Sequence, residues 1–195
     1  MNERFMRQLA FIVEIDKMKS VYRQTLLTDR ARAETDAEHS WHFALAAMVL
    51  LEYAETPVDI NRVIKMALVH DLVEIYAGDT FAYDEKGYSD KPERERNAAD
   101  KIFGMPPDEQ GAELRGFWEE FERMETPDAL YANALDRLMP FIINHATDGY
   151  TWVKHGVSAA RIYKRMRPVE KALPALWAYI ERVVREALDK GYIKP

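Results

Sequence analysis

Residues 59–78, DINRVIKMALVHDLVEIYAG, decide the reading of the fold. Asp59 reads as an N-cap, Gly78 is placed to stop the chain, and the residues between form a strongly apolar helix. The stretch before it, AEHSWHFALAAMVLLEYAE (37–55), is dense in Ala, Leu and Met, strong helix formers, and stops ahead of Pro57. Near the N-terminus, Phe5, Leu9, Ile12, Val13 and Ile15 recur at helical spacing. The polar stretch 25–36 reads as a loop. Helices are expected over 92–103 and 107–124. Thr126, Pro127 and Asp128 then form a start signal for ALYANALDRLMPFIINHA, which Pro140 should kink or cut short. DGYTW (148–152) reads as a turn, and two helices over 158–166 and 169–190 follow, with Gly191 as stop. Long alternating β-branched runs are missing, so the fold class is all-α, a compact helical bundle. No linker rich in Gly, Ser or Pro divides it, and residues 1–195 read as one domain.

Composition narrows the chemistry. The chain has 195 residues, 27 Lys+Arg against 33 Asp+Glu, a net charge of −6 and no cysteine. Without cysteine there is no disulfide, thiolate zinc site or thiol nucleophile, so any metal must be held by His, Asp and Glu. The acidic balance argues against a broad nucleic-acid surface. The longest apolar run, 43–51, is too short to span a bilayer, and the N-terminus lacks a signal-peptide pattern; a cytoplasmic protein is expected.

Several polar residues interrupt the apolar helices. His70-Asp71 sits inside MALVHDLVEIYA, and a buried Asp71 needs something to neutralise it. His39 lies near the start of the preceding helix, and Asp136 lies inside ALDRLMPF. Three packed helices carrying these residues would converge two imidazoles and two carboxylates, a mixed set suited to Mn, Fe, Co, Ni or Zn, and with waters Mg. Glu74 is three residues after Asp71 and four after His70, on the same helical face, where a carboxylate can move a proton to or from water. Asp79 follows Gly78 at the mouth of this site, and 79–92 reads as a loop over it. Lys17, Lys19, Arg23, Arg30 and Arg32 face a single acid, Asp29, and form a local positive cluster fit to hold a phosphate. Each feature also has a plain structural reading. His42 is a satisfied half-buried imidazole or a partner behind His39; His145 and His155 are structural; Trp41, Trp118, Trp152 and Trp177 anchor a core or an interface. Glu85, Glu93 and Glu95 lie in a solvent-exposed charged region, and the basic cluster is otherwise a solvated face.

The order His39, His70-Asp71, Asp136, in helical surroundings, resembles the HD-domain superfamily of metal-dependent phosphohydrolases. IDKMKSVYRQT, RAETDAEHSWHFALAAMVLLEYA, ALVHDLVEIYAGDT and ALDRLMPFIINHATDGYTWVKHGV resemble the branch of bacterial 5′-deoxynucleotidases. The resemblance implies a helical fold with one divalent metal on His39, His70, Asp71 and Asp136. It also implies Glu74 as the acid assisting water, and Arg23, Asp79 and Thr80 as substrate-binding residues, with Arg23 orienting the phosphate. The implied reaction is hydrolysis of a (deoxy)nucleoside 5′-monophosphate to nucleoside and phosphate, in a homodimer. Gln24 follows Arg23 where the deoxynucleotidases carry an aromatic residue. The alarmone hydrolases would carry an acid where Ile75 stands, and the cyclic-dinucleotide phosphodiesterases a proline where Thr151 stands. The alternatives are a metal-dependent nucleotide-binding or sensing module with little turnover, or a hydrolase of this superfamily acting on another phosphate ester.

Overall fold

The computed structural model describes residues 2–84, 87 and 89–195. Its elements are α1 (Glu3–Ile15), a hairpin of β1 (Tyr22–Leu26) and β2 (Ala33–Thr35), α2 (Asp36–Val49), α3 (Ile60–Val69), α4 (Glu74–Ala77), α5 (Lys91–Phe103) and α6 (Asp108–Arg123). There follow α7 (Pro127–Ala146), α8 (Tyr150–His155), α9 (Ala159–Arg165), α10 (Arg167–Ala172) and α11 (Trp177–Asp189), with short 3-10 turns between some of them. The all-α class holds, with one antiparallel hairpin set into it.

α7 is the central post. Thr126 caps it, accepting from Ala129 N at 3.1 Å, and Pro127 supplies a preset first turn. Tyr131, Ala132, Ala134, Leu135 and Leu138 are buried along it. It is tied across by Tyr131 Oη donating to the Ala47 carbonyl of α2 at 2.9 Å and Asn133 Nδ2 donating to the Phe121 carbonyl of α6 at 2.7 Å. Phe43, Ala47, Val63, Met66 and Ala67 complete the core where α2 and α3 pack on α7. At roughly 25 cal/mol per Å² these buried faces supply the main stabilising force.

The structure corrects several expected boundaries. The stretch 25–36 is not a loop: it forms most of the hairpin and the first residue of α2, with Arg30 at φ +62 in its turn. Strands of five and three residues leave no periodic signal. The single helix expected over 60–77 breaks after Val69. Leu72 N donates to Val69 O at 3.1 Å and Glu74 N to Asp71 O at 2.9 Å, so the chain tightens to i→i+3 bonding there. Pro140 does not cut α7, which runs on to Ala146. The turn at DGYTW is confined to 147–149, with Asp148 and Gly149 at positive φ, and Tyr150–His155 is helical. The helix expected over 169–190 divides because Pro174 forces Leu173 out of the α region, to φ −137, ψ 53.

α1 forms as expected, yet none of its residues is buried. Phe11 and Ile15 pack partly buried on the core, and polar contacts hold the rest: Arg7 Nε donates to the Met105 carbonyl at 3.2 Å, Gln8 pairs with Gln110 at 3.0 Å, and Arg4 with Glu109 at 2.5 Å. Among the described residues no helix is long and apolar enough to cross a membrane.

Candidate metal centre and active site

Three elements aim their polar residues at one point. A capping box fixes the start of α2: Glu38 N donates to Thr35 Oγ1 at 3.3 Å, and Thr35 N donates to Glu38 Oε2 at 2.9 Å. This sets His39, 1% exposed, one turn into the helix. His70 caps the end of α3, and in the tightened turn after it residues three apart eclipse, which puts Asp71 and Glu74 on one side. Asp136 projects from the middle of α7.

The three elements meet. His39 Nε2 lies 3.0 Å from Asp136 Oδ1, and His70 Nε2 lies 3.7 Å from the same oxygen. The two imidazole centroids are 5.5 Å apart. His39, His70 and Asp136 each offer one ligand atom within 4.8 Å of the others, and Asp36, Asp71 and Glu74 form a second such group. Asp71 joins the two, its Oδ2 being 3.0 Å from His70 Nε2.

The ring orientations are set from behind. His70 Nδ1 is 2.9 Å from the Ala67 carbonyl; a carbonyl only accepts, so Nδ1 carries a proton and Nε2 faces the site. That Nε2 is buried without an aligned hydrogen bond to any described residue. His39 Nδ1 faces Glu34 Oε2 at 3.7 Å, so its Nε2 also points inward.

Around this point the acids outnumber the bases. Arg23, on β1, reaches in with a side chain 11% exposed. Its Nη1 donates to Asp71 Oδ2 at 2.6 Å and to Asp36 Oδ1 at 3.3 Å, and the guanidinium lies 3.9 Å from both Glu34 and Asp136. Burial opposes its charge, but Asp71 and Asp136 outweigh burial and raise its pKa well above the usual value. Burial pushes the carboxyls of Glu34 and Asp36 up to about 7, and burial with neighbouring Asp71 pushes Glu74 well up. Burial drives His39 down to about 4, whereas His70, against burial, is held up at about 10 by Asp71 and Asp136. Asp71 and Asp136 are held below the usual carboxylate range, despite burial, by the imidazoles and, for Asp71, Arg23. The centre thus keeps protons on several acids because one guanidinium cannot balance them all.

A cavity of about 240 Å³ opens onto this cluster, lined by Arg23, His70, Asp71, Glu74, Asp79 and Asp136 from within. Its mouth is formed by Thr80, Phe81 and Tyr83 from the following loop and by Lys91, Arg137 and Arg165 from three helices. Gly78, at φ +75, turns the chain from α4 toward Asp79, whose carboxyl is half-buried and raised in pKa by burial. Thr80 lines the cavity, but its hydroxyl already accepts from Arg94 Nη2 at 3.1 Å. Of the loop expected over 79–92, Glu85, Lys86 and Tyr88 lie outside the described residues.

The structure places His39, His70, Asp71, Glu74 and Asp136 at the cluster and Arg23, Asp79 and Thr80 in the cavity wall. The basic cluster does not converge. Only Arg23 enters; Lys17 pairs with Glu14, Lys19 with Asp16, Arg30 with Asp148 and Arg32 with Glu38, all on the surface. His42 stacks on Trp41 away from the cavity, His145 pairs with Glu186 at 3.1 Å, and His155 packs on Phe81 with ring centroids 4.1 Å apart. Glu95 is not exposed as expected but buried beside Lys91, at 3.2 Å. Glu34, Asp36 and Arg165 escaped the sequence reading. The two acids pass for helix-start residues, and Arg165 passes for a cation at the end of a helix.

Comparison with known proteins agrees with this geometry. A family model described as "HD domain" matches residues 15–177. The proteins named 5'-deoxynucleotidase HDDC2 from Danio rerio and Homo sapiens are each 28% identical, over 141 and 133 residues, or 72% and 68% of this chain. The chain spans about two thirds or less of those relatives, 66% and 61% of their lengths. A crystal structure titled as a predicted metal-dependent phosphohydrolase from Magnetospirillum magnetotacticum MS-1 superposes with a TM-score of 0.93 at 50% identity, covering 98% of this chain and 96% of that one. The PH0347 protein of Pyrococcus horikoshii OT3, 19% identical with a TM-score of 0.61, covers 93% of this chain and 99% of its own and shares the fold.

Proposed function

The chain belongs to the HD-domain family, and from that premise we propose that it is a divalent-metal-dependent phosphomonoesterase acting on (deoxy)nucleoside 5′-monophosphates. The observation that carries the reading is the inward pair of imidazole nitrogens. His70 Nε2 is left without an aligned hydrogen bond by the Ala67 carbonyl behind it, and His39 Nε2 faces Asp136. Two imidazoles and two carboxylates beside a partly protonated acid wall suit a divalent cation, which would displace the protons on His70 and the acids. His39, His70, Asp71 and Asp136 would hold it, Mn, Co, Mg, Fe, Ni and Zn all being compatible with the donor set. When bound, such an ion supplies a Lewis acid for a phosphoryl oxygen and lowers the pKa of water.

The chain's own residues do the rest. Glu74, buried with its carboxyl pKa raised by burial and Asp71, stands on the face of the turn beside Asp71, where its ionised form can take a proton from water and return it to a leaving oxygen. Arg23 orients the phosphate while balancing Asp71. Asp79 and Thr80, at the cavity mouth, position the sugar.

The test is phosphate release from a panel of deoxy- and ribonucleoside 5′-monophosphates by metal-stripped protein given Mn, Co or Mg. Release from at least one, lost in Glu74→Gln with metal still bound, is the expected result. No release from any, with metal demonstrably bound, overturns the reading.

We read the protein further as a homodimer. Phe5, Met6, Leu9, Ile12 and Val13 on α1, and Trp41, Leu45, Met48 and Val49 on α2, are 36–71% exposed. At roughly 100 Å² each, these side chains present an area on the order of the ~800 Å² per partner of a stable interface. Light scattering on the purified protein should give twice the chain mass, reverting to monomer in Ile12→Glu/Val13→Glu; a wild-type monomer rules the dimer out.

A further inference from the structure

We propose that Arg165 is a phosphate-binding residue of this site, gripping the phosphoryl group from the side of Asp136 opposite Arg23. The proposal rests on the phosphohydrolase reading and adds the residue that does the holding.

Two guanidiniums flank Asp136. Arg23 Nη2 stands 3.9 Å from Oδ1, and Arg165 Nη2 stands 3.9 Å from Oδ2. Their states differ. Arg23 is held to the acid wall by Nη1, at 2.6 Å from Asp71 and 3.3 Å from Asp36, so only part of its fork is left for a phosphate. Arg165 lines the cavity with a side chain 22% exposed, and its one ionic neighbour among the described residues, Asp136, is beyond hydrogen-bond distance. Two further arginines that bind the loop over the cavity are committed to it. Arg94 donates to the Ala77 carbonyl at 2.5 Å, to Thr80 Oγ1 at 3.1 Å and to the Gly87 carbonyl at 3.1 Å; Arg161 donates to the Tyr83 carbonyl and lies over the Tyr83 ring at 5.2 Å.

A cation at the end of α9 has a plain structural use, since the helix dipole favours it there. That use does not require the guanidinium to point into the cavity and stop short of Asp136. A guanidinium that faces a cavity without a hydrogen-bonded carboxylate keeps its donors available to an incoming acceptor. A phosphate seated beside Asp136 presents acceptor oxygens to that fork, the bidentate geometry at which arginine binds best.

The experiment uses Mn-loaded wild-type protein, Arg165→Ala and Arg165→Lys. It measures KM and kcat for the best nucleoside monophosphate of the wild-type panel, Kd for inorganic phosphate by calorimetry, and bound Mn. The alanine variant is expected to raise KM and the phosphate Kd together by roughly tenfold or more, with Mn content unchanged and kcat less affected. Lysine, with charge but no fork, should recover part of the loss. KM and Kd within about twofold of wild type would overturn the proposal. So would loss of Mn from both variants, which would make Arg165 a support for Asp136. A wild type that binds phosphate through Arg165 but releases none from nucleotides refutes the esterase reading and leaves the phosphate site standing; a wild type that binds no phosphate refutes the site.

Discussion

The two acidic groups that share Asp71 are built alike and finished differently. His39, His70 and Asp136 present two imidazole nitrogens and a carboxylate to one point, with no guanidinium within hydrogen-bond distance of that carboxylate among the described residues. Asp36, Asp71 and Glu74 are all carboxylates, and Arg23 is already placed among them at 2.6 and 3.3 Å. The first group fits a cation taken from solution; the second carries its cation in the fold. The difference follows from ligand type. Neutral imidazole adds no charge and binds a metal well, whereas a wall of carboxylates without a fixed counter-ion is too costly to bury.

The sharpest way to break this contrast is to disable the first group. Asp136→Asn and His39→Ala should each abolish stoichiometric metal binding, measured by elemental analysis, and lower phosphate release by about four orders of magnitude, roughly 5 kcal/mol. Full metal content in both variants would dissolve the distinction between the groups. The counterpart is Arg23→Met, which strips the second group of its cation. Leaving Asp71 and Asp36 unbalanced should cost roughly 3–4 kcal/mol of stability, read as a lower urea midpoint of the metal-free protein. Added metal should restore much of it, because Asp71 belongs to both groups.

The parts of this arrangement that could be read from sequence share one property: each is a polar residue out of place. His70-Asp71 and Asp136 interrupt apolar helical runs, and burial of a charge demands a partner. The parts that stayed hidden were ordinary where they stood. Glu34 and Asp36 sit where acids commonly precede and open a helix, and only the hairpin folding back with Arg23 makes them a wall. The break after Val69 was hidden because the apolar pattern runs through it unchanged. The helix α1 was legible as a helix, but its outward apolar face was not. Periodicity shows that a face exists, and which side meets the body depends on the carbonyls of 104–106 that capture Arg7.

A smaller effect sharpens the first group from behind. Glu34 Oε2 lies 3.7 Å from His39 Nδ1, the position from which a carboxylate orients a ligating imidazole and raises its basicity. Glu34→Gln keeps the shape and removes the charge. It should weaken metal affinity by about 10-fold, seen in competition with a chelator, while leaving the fold intact. Unchanged affinity would assign Glu34 wholly to Arg23 and the second group.

The smallest expected effect separates the groups by pH. In the metal-free protein Glu34 and Asp36 are raised to about 7, above their unfolded values near 4, and His70 is raised to about 10. A group raised on folding contributes stability that is complete below its unfolded pKa and lost as pH climbs through the folded one. Between pH 6.5 and 8.5 all three therefore lose stabilisation. His39, lowered to about 4, works in the opposite sense, but most of its effect lies below pH 6.5 and only a small rise is left at the bottom of the window; the depressed Asp71 and Asp136 are flat across it. The metal-free melting temperature should fall across that range, by a few degrees for a loss on the order of 1 kcal/mol. Metal should reverse the slope, since it binds the deprotonated acids and gains affinity as protons leave. A metal-free protein whose melting temperature stays level or rises from pH 6.5 to 8.5 would show that Arg23 alone balances the acid wall.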